Sequence, residues 1–487
     1  MWGRLCCAGL ALALAACQEA PDYRNVRLAP GTANAPMPQV TGPDPEAPLI
    51  LIAFSGGGSR AAALGLGVLQ GLAAESYPQG PGRTRLVDQV KVVSSVSGGS
   101  VIAGWFGYGG PARMDEIKDK FLLKDNMATL LWTGADPITW ARLAFTGYTR
   151  IDALRELLDK ELFQGARIGE MQGPGKPIVV LNATDMASEE VFSFTPERFD
   201  DLCSDLGQLP ISIGVSASAA FPVALSPQSL RNYSYEGCSQ PMPQWVTKEL
   251  TKTLPRYLNI EEFKRARYAY ALRNGEGAYR NEHYLHLLDG GVADNQGVHA
   301  LSDVLTAPHS QSQLLYDINT GHVRRIVVIA VNARSDTDNG VGANSAVPGL
   351  LQVVGSVIGT PIDATTAYAN ASLQELITTL NTAVPPQAPG QPLFNRLQVY
   401  GIPIDFDQFL PSQSQMQQDV KNIGTSWTLT PKQVDEAIDA GKILLQQHPC
   451  YQRLLIELKA APAPSDPAMV KAACPLATDA GGVAAGG

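Results

Sequence analysis

Two stretches of this chain share one pattern. From Leu49 to Leu72, LILIAFSGGGSRAAALGLGVLQGL, an aliphatic run stops at three glycines and gives way to small and apolar residues at helical spacing. From Val90 to Trp105, VKVVSSVSGGSVIAGW, the same change recurs around Ser97. A short apolar run bounded by glycine predicts a buried parallel strand, and the switch of period predicts a sharp turn into a helix. The second strand is expected over Lys91 to Val96, with a helix opening at Gly98 and Gly99.

The alternation continues. Helical spacing marks Met114 to Trp132 and Ile151 to Phe163, the latter with Ile151, Leu154, Leu157, Leu158 and Leu162 on one face. Strands are expected at Pro177 to Thr184 and Val191 to Thr195, followed by a short helix from Ile211 to Ala220. A strong strand follows at Arg325 to Asn332, an edge strand at Asn395 to Ile404, and a final helix from Pro431 to Gln447 introduced by Thr430. Ala346 to Leu380 reads as one or two helices whose small apolar face suits the core or a lipid surface, and the Pro-rich break at Val384 to Pro392 reads as a loop. Strands alternating with helices predict an α/β fold, a mostly parallel central sheet flanked by helices. Gln228 to Asn281 is polar and aromatic, an insertion expected as a solvated excursion and placed to shape access to a site.

Both glycine turns suit chemistry. Gly56, Gly57 and Gly58 stand at a helix start, where main-chain N–H groups lack intrahelical partners and the dipole favours negative charge. Such a turn also suits phosphate, but neither G-x-x-x-x-G-K-[ST] nor G-x-G-x-x-G is present. Ser97, between strand and helix, has the position of a nucleophile elbow, and alone it also reads as a helix cap. A third stretch, Leu285 to Gly297, LHLLDGGVADNQG, places Asp289 at the end of an apolar run before Gly290 and Gly291. A strand-end carboxylate at the sheet's carboxyl edge would reach Ser97 as a base, although Asp-Gly is also a common turn pair. Among the histidines, His299, on the helix expected after Asp289, is the alternative base; His283 and His286 lie on the strand leading to Asp289, and His309, His322 and His448 have no motif around them.

The order GGGSR, SVSGGS, DGG resembles the patatin-like phospholipase family, as do NATD at Asn182 to Asp185 and SASAAFP at Ser216 to Pro222. The resemblance covers roughly Pro48 to Ala333 and implies a Ser–Asp dyad. It implies Ser97 as nucleophile, Asp289 as base, Gly56, Gly57 and Gly58 as oxyanion donors, and Arg60 as the basic residue after that loop, with Gly99 and Gly291 as supporting positions. The chain departs from the family pattern at Ser95, where G-x-S-x-G has glycine, and at Ala61. Both substitutes are small, so the close strand–helix contact is expected to survive.

Composition adds limits. A net charge of -9 with 17% charged residues argues against nucleic acid as a partner. No Cys/His spacing resembles a zinc site, and no cofactor is implied. The first residues read as an address: Arg4, an apolar run from Ala8 to Ala16, and Leu14-Ala15-Ala16-Cys17 in the form of a lipobox, with a plain secretory signal as the other reading. Lipid on Cys17 would anchor the chain, and Gln18 after it resembles lipoproteins sent to the outer membrane. Of 7 cysteines, Cys203, Cys238, Cys450 and Cys474 would remain in an oxidising compartment, and sequence neighbours favour Cys203 with Cys238 and Cys450 with Cys474 among the three possible pairings.

The organisation expected is a signal peptide at 1–16, a flexible tether at 17–46, a catalytic domain at 47–333 with its insertion at about 228–281, helical additions at 334–458 and a low-complexity tail at 459–487. The function expected is hydrolysis of acyl esters of membrane lipids by an enzyme anchored in a bacterial envelope and facing the periplasm. An esterase or thioesterase on soluble substrates and a non-catalytic lipid-binding lipoprotein are the alternatives.

Overall fold

The structure, a computed structural model, describes residues 25–38, 44–136, 148–173, 175–222, 224–238, 241–252, 260–301, 321–334, 397–460 and 467–476, with isolated positions between them. The lipobox with Cys17, His309, the Pro-rich loop at 384–392 and most of 346–380 lie outside the described residues.

The aliphatic runs form the middle of an eight-stranded sheet. Its strands are β1 (Pro48–Phe54), β2 (Val90–Val96), β3 (Ile178–Asp185), β4 (Val191–Ser193), β5 (Gln228–Arg231), β6 (Tyr284–Asp289), β7 (Arg325–Asn332) and β8 (Gln398–Asp405). The order is β8-β7-β1-β2-β3-β6-β5, with β4 paired to β3. The pairings from β8 through β3 are parallel, whereas β6 runs antiparallel to both β3 and β5. Every residue of β1 is buried. Its side chains alternate between two apolar clusters, Ile50, Ile52 and Phe54 in one and Leu49, Leu51 and Ala53 in the other. A strand apolar at every position is what burial of both sheet faces requires.

The larger cluster is covered by α1 (Gly58–Ala74), α2 (Gly98–Gly109), α3 (Ile211–Ser218) and α4 (Pro431–Gln447). Thr430 accepts a hydrogen bond from the Gln433 N–H and Pro431 opens the helix, as the sequence predicts. Two short helices follow it, α5 (Pro449–Glu457) and α6 (Pro467–Ala473), so α4 is not the last. Of the expected helices within 346–380, Leu373 and Ile377 are described and buried in the smaller cluster, which is the core side of the two readings. The helix expected over Met114 to Trp132 is broken into a π-helical turn, Lys118–Leu122, and a helix, Asn126–Ala135. A hairpin of Ser76–Gln79 with Gly82–Arg85 carries no alternating pattern that would predict it.

Three expectations of loose chain need correction. The later part of the tether is bound to the domain: Val26 and Arg27 pair with Asp205 and Ser204, and Asn34 donates to Asp200 Oδ1 at 2.7 Å and accepts from the Leu206 N–H at 2.8 Å. The insertion is not a solvated excursion, because β5 is the sheet's edge strand and the hydroxyls of Tyr268 and Tyr279 both donate to the buried carboxylate of Asp185. A buried carboxylate needs such donors to be tolerated. Within the tail, Asp479 receives Arg453 Nη1 at 2.6 Å and Nη2 at 2.8 Å. The cysteines pair as expected, Cys203 with Cys238 and Cys450 with Cys474, at Cα separations of 5.6 and 5.1 Å. No helix among the described residues is long and apolar enough to cross a membrane.

Candidate active site

Ser97 follows the last residue of β2 and precedes α2, with φ 53 and ψ -124. A non-glycine residue at positive φ is held there only by its surroundings, at a cost of about 1–3 kcal/mol. What holds it is close approach on both sides. A Cβ at Gly98 would lie 2.0 Å from the Gly58 carbonyl oxygen, and one at Gly99 would lie 2.6 Å from those of Phe54 and Ser55, so only glycine lets α2 start against β1 and α1. Ser95, standing where the family pattern has glycine, is buried and accepts from the Ser100 hydroxyl at 3.0 Å. Ala61 is buried in α1, 3.4 Å from where a Gly57 Cβ would lie.

The Ser97 hydroxyl donates to Asp289 Oδ2 at 2.8 Å. The second carboxylate oxygen, Oδ1, accepts from the Gly291 N–H at 2.8 Å. Asp289 arrives by a route the sequence does not reveal. Being on an antiparallel strand, it comes in from beyond the carboxyl ends of the parallel strands and stops level with Ala183, beside the Asn182 that pairs with Val96. Burial pushes its carboxyl up to about 6, against the opposing pull of the Gly291 N–H and the Ser97 hydroxyl. A carboxylate with that affinity accepts a proton near neutral pH.

Around the pair lies a buried hydrogen-bonded shell made of the NATD and SASAAFP stretches. Thr184 Oγ1 donates to the Asp289 carbonyl at 2.8 Å, and the Asp289 N–H donates to the Ala220 carbonyl at 3.0 Å. The Ser97 N–H reaches Ser218 Oγ at 2.9 Å, and that hydroxyl donates to the Asn182 carbonyl at 2.6 Å. Asn182 Nδ2 in turn holds the Ser95 carbonyl at 3.1 Å. Nothing in composition or period assigns these roles. The only sequence signal was the family likeness of the two stretches.

The glycine loop lies against the serine, since a Cβ on Gly56 would be 3.3 Å from Ser97 Cβ. Its three N–H groups are not equivalent. That of Gly56 donates to the Asn295 carbonyl at 2.9 Å, so it is not available to a substrate, contrary to the expected role. Those of Gly57, Gly58 and Gly98 have no acceptor among the described residues. The loop does have free donors, fewer by one than the glycines suggest.

Arg60 turns away from the site. Its guanidinium lies buried, with Nε donating to the Ala333 carbonyl at 2.9 Å and Nη1 to that of Ile423, and burial pushes it down to about 10. The Ser59 N–H donates to the Ser426 carbonyl at 2.9 Å, and Ser59 Oγ to that of Trp427 at 3.0 Å. A segment more than three hundred residues away in sequence therefore braces the helix start, and no sequence pattern announced it. Among the described histidines none bonds Ser97. The His299 N–H caps Asp294 Oδ2 at 2.9 Å, and His448 caps α5. Among the described residues no cluster of three or more His, Cys, Asp or Glu side chains could hold a metal ion.

Human GIVD cytosolic phospholipase A2 is 13% identical over 85% of this chain and 63% of its own, with a TM-score of 0.39. The same protein in complex with methyl gamma-linolenyl fluorophosphonate gives 13% identity and a TM-score of 0.39, covering 85% of this chain and 59% of that one. The chain thus spans less than two thirds of the length of these proteins. No curated protein matches the sequence significantly. The family model described as patatin-like phospholipase matches residues 52–302, more than half of the 487 and running from within β1 past Asp289, so the chain belongs to the patatin-like phospholipase family.

Proposed function

We propose that this protein is a serine acyl hydrolase of phospholipase or lysophospholipase type that cleaves acyl esters of membrane lipids and is held to the bacterial envelope by lipid on Cys17. The observation that carries the chemistry is the 2.8 Å bond from Ser97 Oγ to Asp289 Oδ2 at the mouth of a strained elbow. Ser97 Oγ attacks the ester carbonyl as its proton passes to Asp289, and the main-chain donors of Gly57 and Gly58 receive the oxyanion. Collapse expels the alcohol, which takes the proton from Asp289. Water then attacks the acyl-serine, giving a proton to Asp289 that returns to Ser97 as the fatty acid leaves. The catalytic hydroxyl needs no third residue here because the carboxyl is itself buried enough to act as base.

The envelope location rests on the lipobox at Leu14 to Cys17, with the outer membrane favoured by Gln18. The two disulfides suit an oxidising compartment. The test is a panel of phospholipids, lysophospholipids, soluble esters and thioesters offered to wild type and to Ser97→Ala. Release of fatty acid from the lipids by wild type alone supports the proposal. Cleavage of soluble substrates only would make the protein an esterase or thioesterase, and binding of lipid without cleavage would make it a non-catalytic lipoprotein.

A further inference from the structure

Asn295 stands where the glycine loop and the Asp289 turn meet. Its carbonyl takes the Gly56 N–H at 2.9 Å, which fixes its main chain against the loop. Its side-chain oxygen lies 2.5 Å from the position a Cβ on Gly56 would occupy and 2.8 Å from that on Gly291. The same two positions are 3.3 Å from Ser97 Cβ and 3.1 Å from Asp289 Oδ1, so the amide is wedged between glycines that touch both members of the dyad. The side chain is half-buried, and its amide has no hydrogen-bond partner among the described residues. A primary amide carries two donors, and rotation about Cβ–Cγ presents either end.

We propose that Asn295 is a catalytic residue that donates its side-chain amide to the oxyanion of the acyl intermediate, in place of the Gly56 N–H that its own carbonyl occupies. The inference rests on the hydrolase reading above. It explains why the residue beside the dyad keeps an open amide while its main chain is tied down. Gly56 and Gly291 lack a Cβ in this account because one would fill the space that the amide needs.

The test compares Asn295→Ala and Asn295→Asp with wild type on a short soluble ester, with thermal melting of each. A donor role predicts that turnover falls about 100-fold or more in both with KM little changed. Asn295→Asp, isosteric but carrying only acceptors above its pKa, falls further than Asn295→Ala at pH 8. A merely space-filling role predicts the reverse, since the Asp variant preserves shape and would keep near wild-type turnover, and that result would overturn the proposal. Turnover of Asn295→Ala within about threefold of wild type would overturn it too. Should Asn295→Ala fail to fold, the isosteric variant alone decides. A wild-type protein that neither cleaves esters nor is labelled at Ser97 by a serine-directed phosphonate would sink the hydrolase reading itself, a failure seen before any Asn295 variant is measured.

Discussion

The main-chain N–H of Ser59 donates to the carbonyl of Ser426 at 2.9 Å, joining the first turn of the glycine-loop helix to the last quarter of the chain. A Cβ on Gly58 would lie 2.5 Å from that same carbonyl oxygen. The wall behind the glycine loop is therefore built by a segment beyond residues 52–302, the interval that the family model matches.

The helix that follows Ser426 should be as necessary to the site as the dyad. A Cβ on Gly67 of α1 would lie 2.0 Å from the Ile438 carbonyl oxygen of α4, and one on Gly441 would lie 2.4 Å from that of Leu64. Alanine in a helix interior gains up to about 1 kcal/mol over glycine, whereas overpacking against backbone costs about 1–3 kcal/mol and often more. The clash should win, because main-chain atoms of a packed helix cannot step aside. Gly67→Ala and Gly441→Ala are each expected to lower the melting temperature by several degrees and to reduce esterase turnover, measured by calorimetry and a soluble ester. Unchanged melting in both would show that α1 and α4 do not touch as described.

Activity should depend on the ionisation of Asp289. In the proposed mechanism only the carboxylate would accept the Ser97 proton, and burial holds its carboxyl at about 6. The rate kcat/KM is therefore expected to rise with pH through about 6 and level off above it, falling roughly tenfold per pH unit on the acid side. A pH–rate profile on an uncharged ester checks this. A flat profile from pH 4 to 8 would remove Asp289 as the base.

The same burial should make Asp289 a liability for stability. A carboxyl held at about 6 when folded, and near 4 when unfolded, binds its proton more tightly in the folded state. Its contribution is fully present below about pH 4 and is lost as pH rises through 6, on the order of 3 kcal/mol in all. Asp289→Asn keeps an acceptor oxygen for the Gly291 N–H, turns an amide N–H toward the Ser97 oxygen, and carries no charge. It is expected to be inactive yet to melt higher than wild type at pH 8, with the gap closing toward pH 4. A variant that melted lower than wild type at pH 8 would contradict this.

Lipidation at Cys17 would hold the domain near its membrane more tightly than a long tether. Because the chain is bound to the domain from Asn25 onward, residues 18–24 alone remain to span the gap, at most about 25 Å when fully extended. Cys17→Ser is expected to move to the soluble fraction and lose activity on native bilayers while keeping the wild-type rate on a short soluble ester. Retention in the membrane fraction would exclude the lipobox reading, and loss of the soluble activity would show that the anchor is not independent of the site.

The central strands, the two glycine turns, the Thr430 cap and the likeness of three short motifs were all legible in the chain, because each depends on residues adjacent in sequence. A mostly apolar strand that ends beside glycines has few other uses, and Ser97 and Asp289 announce themselves by standing at such ends. Tertiary structure decided everything that depends on which distant group arrives beside a given atom. It made β6 antiparallel, so that Asp289 reaches Ser97 from beyond the sheet rather than along it. It spent the Gly56 N–H on Asn295, sent Arg60 to Ala333 and Ile423, and turned stretches that look loose by composition into bound ones, because Asp185, Asp200 and Arg453 are charges that needed partners. A donor's direction and a charge's partner are properties of the packed chain, and no local pattern of hydrophobic and polar residues encodes them.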